Sequence, residues 1–289
     1  MKLDSDLSAF LREKALWVRQ ETLKIHKVAP GTRVASSLSD VEIFTVLYYG
    51  KILRFDLDNT QWEGRDRLIV SKGHGAISLY PILADLDFFD KKELKRVGKE
   101  GSFLGGIPDP LIPGFETVNG SLGHGLGVAC GMALALKRKE IDANVFVLLG
   151  DGELSEGAVW EAIMFASHHG LDNLIAIVDN NKISMLDYCK NIIDLEPLED
   201  KFRSFSWDVE SVDGHDVEGL YEAITRFKGN GGSQPKAIIA NTIKGKGVPL
   251  LENDPLCHVK SLTEGEVDDL LQKAKIHHEN MKKRKHEIE

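Results

Sequence analysis

Cysteine and clustered positive charge are both scarce in this chain. Its 289 residues include three cysteines, Cys130, Cys189 and Cys257, and no two of them are spaced as a C-x-x-C pair. Such isolated thiols argue against a disulfide framework or a zinc site and fit a reducing cytosol. Acidic residues outnumber basic ones by 45 to 36, which gives a net charge of −9. No nucleic acid is expected as the main partner, because phosphate contacts require clustered Lys and Arg.

Long apolar runs are also missing. No hydrophobic stretch approaches the roughly 20 residues of a membrane-spanning helix, and the first residues lack the charged and apolar regions of a secretory signal. We therefore expect a cytoplasmic protein that does not act at a membrane. Hydrophobic residues nonetheless make up 42% of the chain, which is enough for a substantial core. The length fits one large α/β domain or two small ones.

Two phosphate-binding signatures are absent as well. Neither G-x-G-x-x-G nor G-x-x-x-x-G-K followed by Ser or Thr occurs in the sequence. Phosphate binding of the dinucleotide type and of the P-loop type therefore loses support. A diphosphate that binds through a divalent metal remains open.

The apolar pattern predicts an α/β protein with a parallel sheet covered by helices on both faces. Nearly unbroken apolar runs predict strands at residues 67–71, 145–150, 174–179, 208–212 and 236–241. Helical spacing predicts helices at residues 6–28, 126–139, 156–169 and 216–228. We interpret residues 1–289 as a single domain with a charged helical tail from about residue 263.

Two segments between these elements are predicted to be loops. Residues 29–39 form the first, and its last residue, Ser39, has the spacing to Glu42 that is typical of a capping box for a helix ending at Tyr49. Residues 100–125 form the second and are rich in glycine and proline. Such a loop allows the backbone to approach a ligand closely.

Oxygen-bearing side chains follow two of the predicted strands. Asp151 stands between Gly150 and Gly152 after one apolar run, and Asn181 ends the next run along the chain. A right-handed crossover places both strand ends at the same edge of a parallel sheet. Carboxylate and amide oxygens suit Mg²⁺ or Ca²⁺, and the carbonyl of Ile183 emerges at the same edge. Taken alone, Gly-Asp-Gly is equally explained as a tight turn.

The helix between these strands begins with acidic residues. Glu153 and Glu156 lie where its dipole favours negative charge. The same positive helix end suits an anionic ligand. The segment therefore favours a metal-bound anionic ligand over a simple turn.

Four ordered segments resemble those of transketolases. They are Ser71-Lys-Gly-His74-Gly, Gly120-Ser-Leu-Gly-His124-Gly, the stretch from Gly150-Asp-Gly through Glu156-Gly-Ala-Val-Trp-Glu161 to Asp179-Asn-Asn181, and Thr242-Ile-Lys-Gly-Lys-Gly247 through His258. The resemblance extends from about residue 10 to 270. A chain of this length resembles only the N-terminal, diphosphate-binding half, as in two-subunit transketolases, and implies the thiamine-diphosphate-binding fold.

The resemblance implies a thiamine diphosphate cofactor, anchored by Mg²⁺ or Ca²⁺. It implies Asp151, Asn181 and the carbonyl of Ile183 as metal ligands, and His74 and His258 as residues that move protons on the substrate. The cofactor-binding residues it implies are His74, Gly120, Ser121, Leu122, Gly150, Gly152, Glu153, Asn181 and His258.

The resemblance also implies a partner. In the family, the glutamate that activates the aminopyrimidine belongs to the pyrimidine-binding domain, and no segment here matches that domain. We therefore expect activity only with a C-terminal transketolase subunit, in an α2β2 heterotetramer. Glu156 and Glu161 match acidic residues that join active sites across the family's subunit interface. Glu156 alone is also explained by its helix start, for about 0.3–1 kcal/mol.

Two positions depart from the family pattern. Arg33 stands where a substrate-facing histidine is usual, and Ile107 replaces a histidine of the glycine-rich loop that contacts the donor sugar. One explanation is an alignment slip of one residue. Another is a different donor, since Arg33 suits a carboxylate, sulfonate or phosphate and Ile107 suits a methyl group. A pyruvate-like donor is the hypothesis that these two residues motivate.

The leading interpretation is a transferase of carbohydrate metabolism that moves a two-carbon unit from a donor to an aldehyde or ketone acceptor. Its small-molecule substrates are sugars or keto acids. The α subunit of a 2-oxoacid dehydrogenase is an alternative, because it shares the Gly-Asp-Gly to Asn unit. A non-catalytic, cofactor-binding regulatory subunit is a second alternative.

Overall fold

The structure, a computed structural model, describes residues 3–229 and 232–286. The α-helices are α1 (Ser5–Val28), α2 (Val34–Ser39), α3 (Val41–Tyr49), α4 (Leu79–Asp85), α5 (Gly125–Arg138), α6 (Gly157–His168), α7 (Cys189–Ile192), α8 (Leu198–Ser204), α9 (Val217–Gly229) and α10 (Glu264–His286). The strands are β1 (Arg67–Val70), β2 (Val145–Gly150), β3 (Leu174–Asn180), β4 (Asp208–Asp213) and β5 (Lys236–Asn241). Short 3₁₀ segments occupy Gly73–Ser78, Lys91–Arg96 and Gly152–Ser155.

A single parallel sheet organises the molecule. Its five strands run in the order β1-β2-β3-β5-β4. Alternate side chains of each strand point to opposite faces. One face packs against α1, α3, α4 and α9, and the other packs against α5, α6 and α8. The predicted α/β architecture, with helices on both faces, is confirmed.

The strand register brings the two oxygen-bearing turns together. Gly150, the last residue of β2, is paired with Asp179 near the end of β3. Asp151 and Asn181 therefore leave neighbouring strands at the same edge. Strand β5 ends beside them, and its Asn241 is paired with Asn180.

The prediction for residues 29–39 was wrong in part. Residues 34–39 form α2, and all six of its side chains are buried. The capping box was also wrong, because Asp40 precedes α3 and its backbone is already helical. Glu42 pairs instead with Arg19 of α1 and with His215. The Ser39 hydroxyl donates to Asp179, 2.8 Å away, so tertiary contacts outcompete the local cap.

The remaining sequence predictions about elements agree with the structure. Residues 97–124 form an irregular segment without helix or strand. The charged tail is helical from Glu264, and α10 is held to α1 by an ion pair of 2.7 Å between Lys27 and Asp268. Across the two described ranges, no helix combines the length and apolar character needed to cross a membrane.

Candidate functional site

A cavity of about 240 Å³ opens at the carboxyl edge of the sheet. Loops from five separate parts of the chain meet there. Its walls are formed by Lys72, His74, Gly120, Leu122, Gly150, Asp151, Gly152, Glu153, Asn181, Ile183, Ser184, Met185, Lys244 and His258. The cavity thus brings together most of the residues singled out from the sequence.

Asp151 provides the carboxylate at this edge. It follows β2 directly and is only 7% exposed. Its Oδ1 accepts a hydrogen bond of 2.7 Å from the backbone N–H of Gly152, and its Oδ2 accepts one from the backbone N–H of Lys182. Burial, with a contribution from nearby Asp179, raises the pKa of Asp151 to about 6. A cation at this position would favour the ionised carboxylate.

Two further candidate ligand residues, Asn181 and Ile183, line the same cavity. The Asn181 carboxamide donates from Nδ2 to Asp179 Oδ2 at 2.8 Å, and its Oδ1 accepts from the Ile183 N–H at 3.1 Å. The Ile183 carbonyl accepts from the Lys244 ammonium at 2.7 Å. One carboxylate, one amide and one carbonyl are hard donors that fit Mg²⁺ or Ca²⁺. Within the described part of the chain, no cluster of three His, Cys, Asp or Glu offers an alternative metal centre.

Lys244 is a cavity residue to which the sequence analysis gave no role. It lies in the loop after β5 and is buried, and its Nζ also donates to the Ser184 carbonyl at 3.0 Å. Burial lowers its pKa, and the positive charge of Lys72 adds to this effect. A buried ammonium in the cavity that Gly152 also lines suits an anionic group such as a phosphate. The available signal was its place in the Thr242-Ile-Lys-Gly-Lys-Gly247 segment, three residues after the end of β5.

His74 and His258 face each other across the cavity. Their ring centroids are 4.9 Å apart at an interplanar angle of 68°. Burial, together with the charge of Lys72, moves the pKa of His74 well below its usual range. Burial, Lys244 and Arg33 lower the pKa of His258 to about 3. Both imidazoles are therefore neutral at physiological pH, and each neutral ring has one nitrogen that accepts a hydrogen bond.

Ser36 is a second residue that the sequence analysis missed. It lies on α2, within the segment predicted to be a loop, and its Oγ is 3.3 Å from His258 Nδ1. This contact restrains the ring of His258 through Nδ1. The other ring nitrogen, Nε2, takes no part in it. Arg33 precedes α2 and is exposed. It lies close enough to His258 to affect its pKa.

The glycine-rich loop supplies another wall. Gly120 and Leu122 line the cavity, whereas Ser121 between them is exposed. Ile107 lies against this wall, because a Cβ at Gly120 would be 3.2 Å from its Cδ1. Neither Arg33 nor Ile107 lines the cavity itself; Ile107 adjoins its Gly120 wall, and Arg33 is near enough to His258 to affect its pKa.

The side chain of Glu153 has a structural role. Its carboxylate is buried and accepts hydrogen bonds from Ser71 Oγ, from the Gly123 N–H at 2.9 Å and from the Gly150 N–H at 3.1 Å. Burial raises its pKa, although these hydrogen bonds act in the opposite direction. The side chain joins three loops of the site, and its backbone amide is the group predicted to bind the cofactor.

The two predicted interface glutamates lie on a different surface. Glu156 precedes α6, and Glu161 lies on that helix; both are exposed. Glu161 lines a groove of about 380 Å³ between α5 and α6, together with His124 and Phe165. Met164 and Phe165 are large apolar residues that stay exposed here.

Comparisons with known proteins agree on one family. The family model "Transketolase, thiamine diphosphate binding domain" matches residues 22–287. The 6-deoxy-6-sulfo-D-fructose transketolase subunit SqwG of Clostridium sp. (strain MSTE9) is 40% identical over 88% of this chain and 92% of its own length. An apulose-4-phosphate transketolase subunit of Actinobacillus succinogenes is 36% identical over 92% of this chain and 96% of its own length.

The fold comparison leads to the same family. The crystal structure of transketolase from Campylobacter jejuni superposes with a TM-score of 0.85 at 30% identity over 94% of this chain. The chain spans only 43% of that transketolase. It is therefore similar in length to the named subunits and less than half as long as the single-chain enzyme. The chain belongs to the transketolase family and corresponds to its thiamine diphosphate-binding domain.

Proposed function

We propose that this chain is the cofactor-binding subunit of a two-subunit transketolase-like enzyme. The enzyme moves a two-carbon unit from a donor to an aldehyde or ketone acceptor. The observation that carries this proposal is the single cavity in which strand-end oxygens, a buried lysine and two neutral histidines meet. The whole chain, residues 1–289, acts as one domain in this proposal.

The residues of the cavity fit thiamine diphosphate and Mg²⁺. Asp151, Asn181 and the Ile183 carbonyl would hold the metal, and the Gly152 amide and Lys244 would bind the anionic end of the cofactor. When bound, the cofactor supplies an electron sink for the substrate carbanion. The protein's own residues orient it and exclude water. His74 and His258 exchange protons with the substrate's oxygen atoms.

The partner would be a C-terminal transketolase subunit in an α2β2 assembly. Support comes from the exposed acidic and apolar surface along α6 and from relatives of similar length that are named as subunits. The partner would supply the carboxylate that activates the cofactor.

We expect this chain alone to be inactive and to gain activity when the C-terminal subunit is added. Glu161→Lys should weaken the complex about 10-fold or more, because it places a charge of the wrong sign where the partner contacts α6. Analytical ultracentrifugation of the mixed subunits measures both the assembly and its loss. Lys92→Glu, an exposed charge reversal on the opposite face of the sheet, is the matched control and should assemble normally. Full activity of the isolated chain would contradict the proposed partner.

The donor is proposed to carry an anionic group that Arg33 binds. The names of the two relatives described above include a sulfo sugar and a sugar phosphate. Arg33 is near enough to His258 for its charge to lower the pKa of that ring. A pyruvate-like donor is the second candidate. It is favoured by Ile107, whose apolar side chain lies at the Gly120 wall.

Arg33→Met should lower kcat/KM for the charged donor about 10- to 100-fold, because it removes a hydrogen-bonding cation. A donor screen by mass spectrometry should include a sulfonated ketose, a ketose phosphate and pyruvate. An uncharged ketose serves as the control substrate, and the variant's kcat/KM for it should change little. Turnover of a ketose phosphate but not pyruvate would eliminate the pyruvate-like donor. A properly assembled pair that turns over no donor would favour the non-catalytic regulatory subunit.

A further inference from the structure

A buried ion-pair network adjoins the cavity, whose wall includes Lys72. The Lys72 ammonium donates to Asp179 Oδ2, to Asp40 Oδ1 at 3.0 Å and to the Ser36 carbonyl at 3.2 Å. The Lys72 side chain is 1% exposed and both carboxylates are 0% exposed. Charges removed from water in this way need several partners to remain ionised. The network joins α2, which carries Ser36, to the end of β3.

Asp179 is the centre of this network. Its Oδ2 accepts from Lys72, from Ser39 Oγ at 2.8 Å and from Asn181 Nδ2 at 2.8 Å. Its Oδ1 accepts from Thr242 Oγ1. Four donors match the roughly four acceptor sites of an ionised carboxylate. Asp179 is thus fully engaged with protein groups and has no acceptor site left for a ligand.

The hydrogen bond from Asn181 to Asp179 determines which end of the carboxamide faces Asp179. A carboxamide has one oxygen end and one nitrogen end, and only the oxygen can bind a metal ion. An ionised carboxylate only accepts hydrogen bonds, so it requires the nitrogen end to face Asp179. The oxygen end is then turned to the opposite side, where it accepts from the Ile183 N–H at 3.1 Å.

We propose that Asp179, held in place by Lys72, is the positioning residue that turns the Asn181 oxygen toward the metal. The inference rests on the proposed metal-dependent function of the cavity. It assigns a role to residues that are not among the proposed metal ligands. Partners of metal ligands commonly set the orientation and affinity of the site, and their loss weakens metal binding about 10- to 100-fold.

Two substitutions of Asp179 distinguish the effect of orienting Asn181 from the effect of the negative charge on Mn²⁺ binding. Asp179→Asn and Asp179→Leu remove the same negative charge, but only the asparagine variant keeps an oxygen that can accept from Asn181 Nδ2. We expect the leucine variant to bind Mn²⁺ at least about 10-fold more weakly than the asparagine variant. The measurement is an electron paramagnetic resonance titration of Mn²⁺ into the assembled enzyme with thiamine diphosphate. Ser39→Ala, which removes another donor to Oδ2, should shift Mn²⁺ affinity less than about 3-fold.

A second substitution tests the orientation directly. Asn181→Asp provides a ligand with oxygen at both ends, so its direction no longer matters. It should therefore restore Mn²⁺ affinity more strongly in the Asp179→Leu background than in the Asp179→Asn background. Thermal unfolding of each variant verifies that the compared proteins are folded. If Asp179→Leu fails to fold, the same comparison is made with Lys72→Met added to both variants, which leaves no unpaired buried ammonium.

Equal Mn²⁺ affinities of folded Asp179→Leu and Asp179→Asn variants would overturn the positioning role. So would equal rescue by Asn181→Asp in both backgrounds. Failure of the wild-type assembly to bind Mn²⁺ together with the cofactor has a different meaning. It would overturn the proposed function itself, and the inference with it.

Discussion

Asp151→Asn is expected to weaken Mg²⁺-dependent binding of thiamine diphosphate by on the order of 100-fold or more, because it replaces the charged member of the proposed ligand set. The side chains have the same shape, and the amide oxygen keeps one of the two backbone hydrogen bonds that Asp151 accepts. Burial already disfavours the charged carboxylate, as its raised pKa indicates. The free energy of unfolding should therefore change by less than about 1 kcal/mol.

Isothermal titration calorimetry of the assembled enzyme, with Mg²⁺ and with a chelator, measures this loss. Asp194→Asn provides the control, since Asp194 is an exposed carboxylate in the loop after α7. Its cofactor affinity should equal that of the wild type. Unchanged affinity in Asp151→Asn would contradict the assignment of Asp151 to the metal.

The location of the cavity could be predicted from the sequence because it depends on topology. The apolar runs before Asp151 and Asn181 are strongly strand-like, and a right-handed crossover requires their ends to share one edge. The register of β2 and β3 satisfies that requirement directly. Ile183 follows Asn181 by two residues, so its position depends on the same local geometry.

Helix α2 and its contact with the site could not be predicted from the sequence. Residues 34–39 read Val-Ala-Ser-Ser-Leu-Ser, in which β-branched and serine residues have weak helix propensity. All six side chains are buried, so tertiary packing stabilises the helix. Its contact with the site, Ser36 to His258, joins residues 222 positions apart. Local pattern carries no information about such a pair.

The buried lysines show a similar limit. Lys72 and Lys244 belong to two of the transketolase-like segments, but lysine is usually an exposed residue. Their burial depends on acceptors from other segments: Asp40 and Asp179 for Lys72, and the Ile183 carbonyl for Lys244. Only the assembled sheet edge brings these acceptors together. The sequence thus predicts the ligand set more readily than the charges that surround it.

His258→Asn and His74→Asn are each expected to lower kcat about 10²- to 10⁴-fold, the range typical of a lost general acid or base. The reason is their proposed exchange of protons with the substrate in the cavity, where their ring centroids are 4.9 Å apart. Steady-state kinetics of the assembled enzyme, with the cofactor saturating, gives kcat for each variant. Ser36→Ala should have a smaller effect, about 10-fold, because it removes one hydrogen bond to the ring and leaves the ring in place.

The pH dependence provides an independent check on these histidines. Since the pKa of His258 is lowered to about 3, its protonation cannot produce a loss of activity between pH 6 and 8. The lowered pKa also affects stability: the unfolded chain binds the proton more readily, with an ordinary histidine pKa near 6.5. The stability contributed by neutral His258 is therefore complete above about pH 6.5 and decreases as the pH falls toward 3. His258→Asn should flatten the unfolding free energy over that interval, and an unaltered pH profile would show that His258 is not buried in its neutral form.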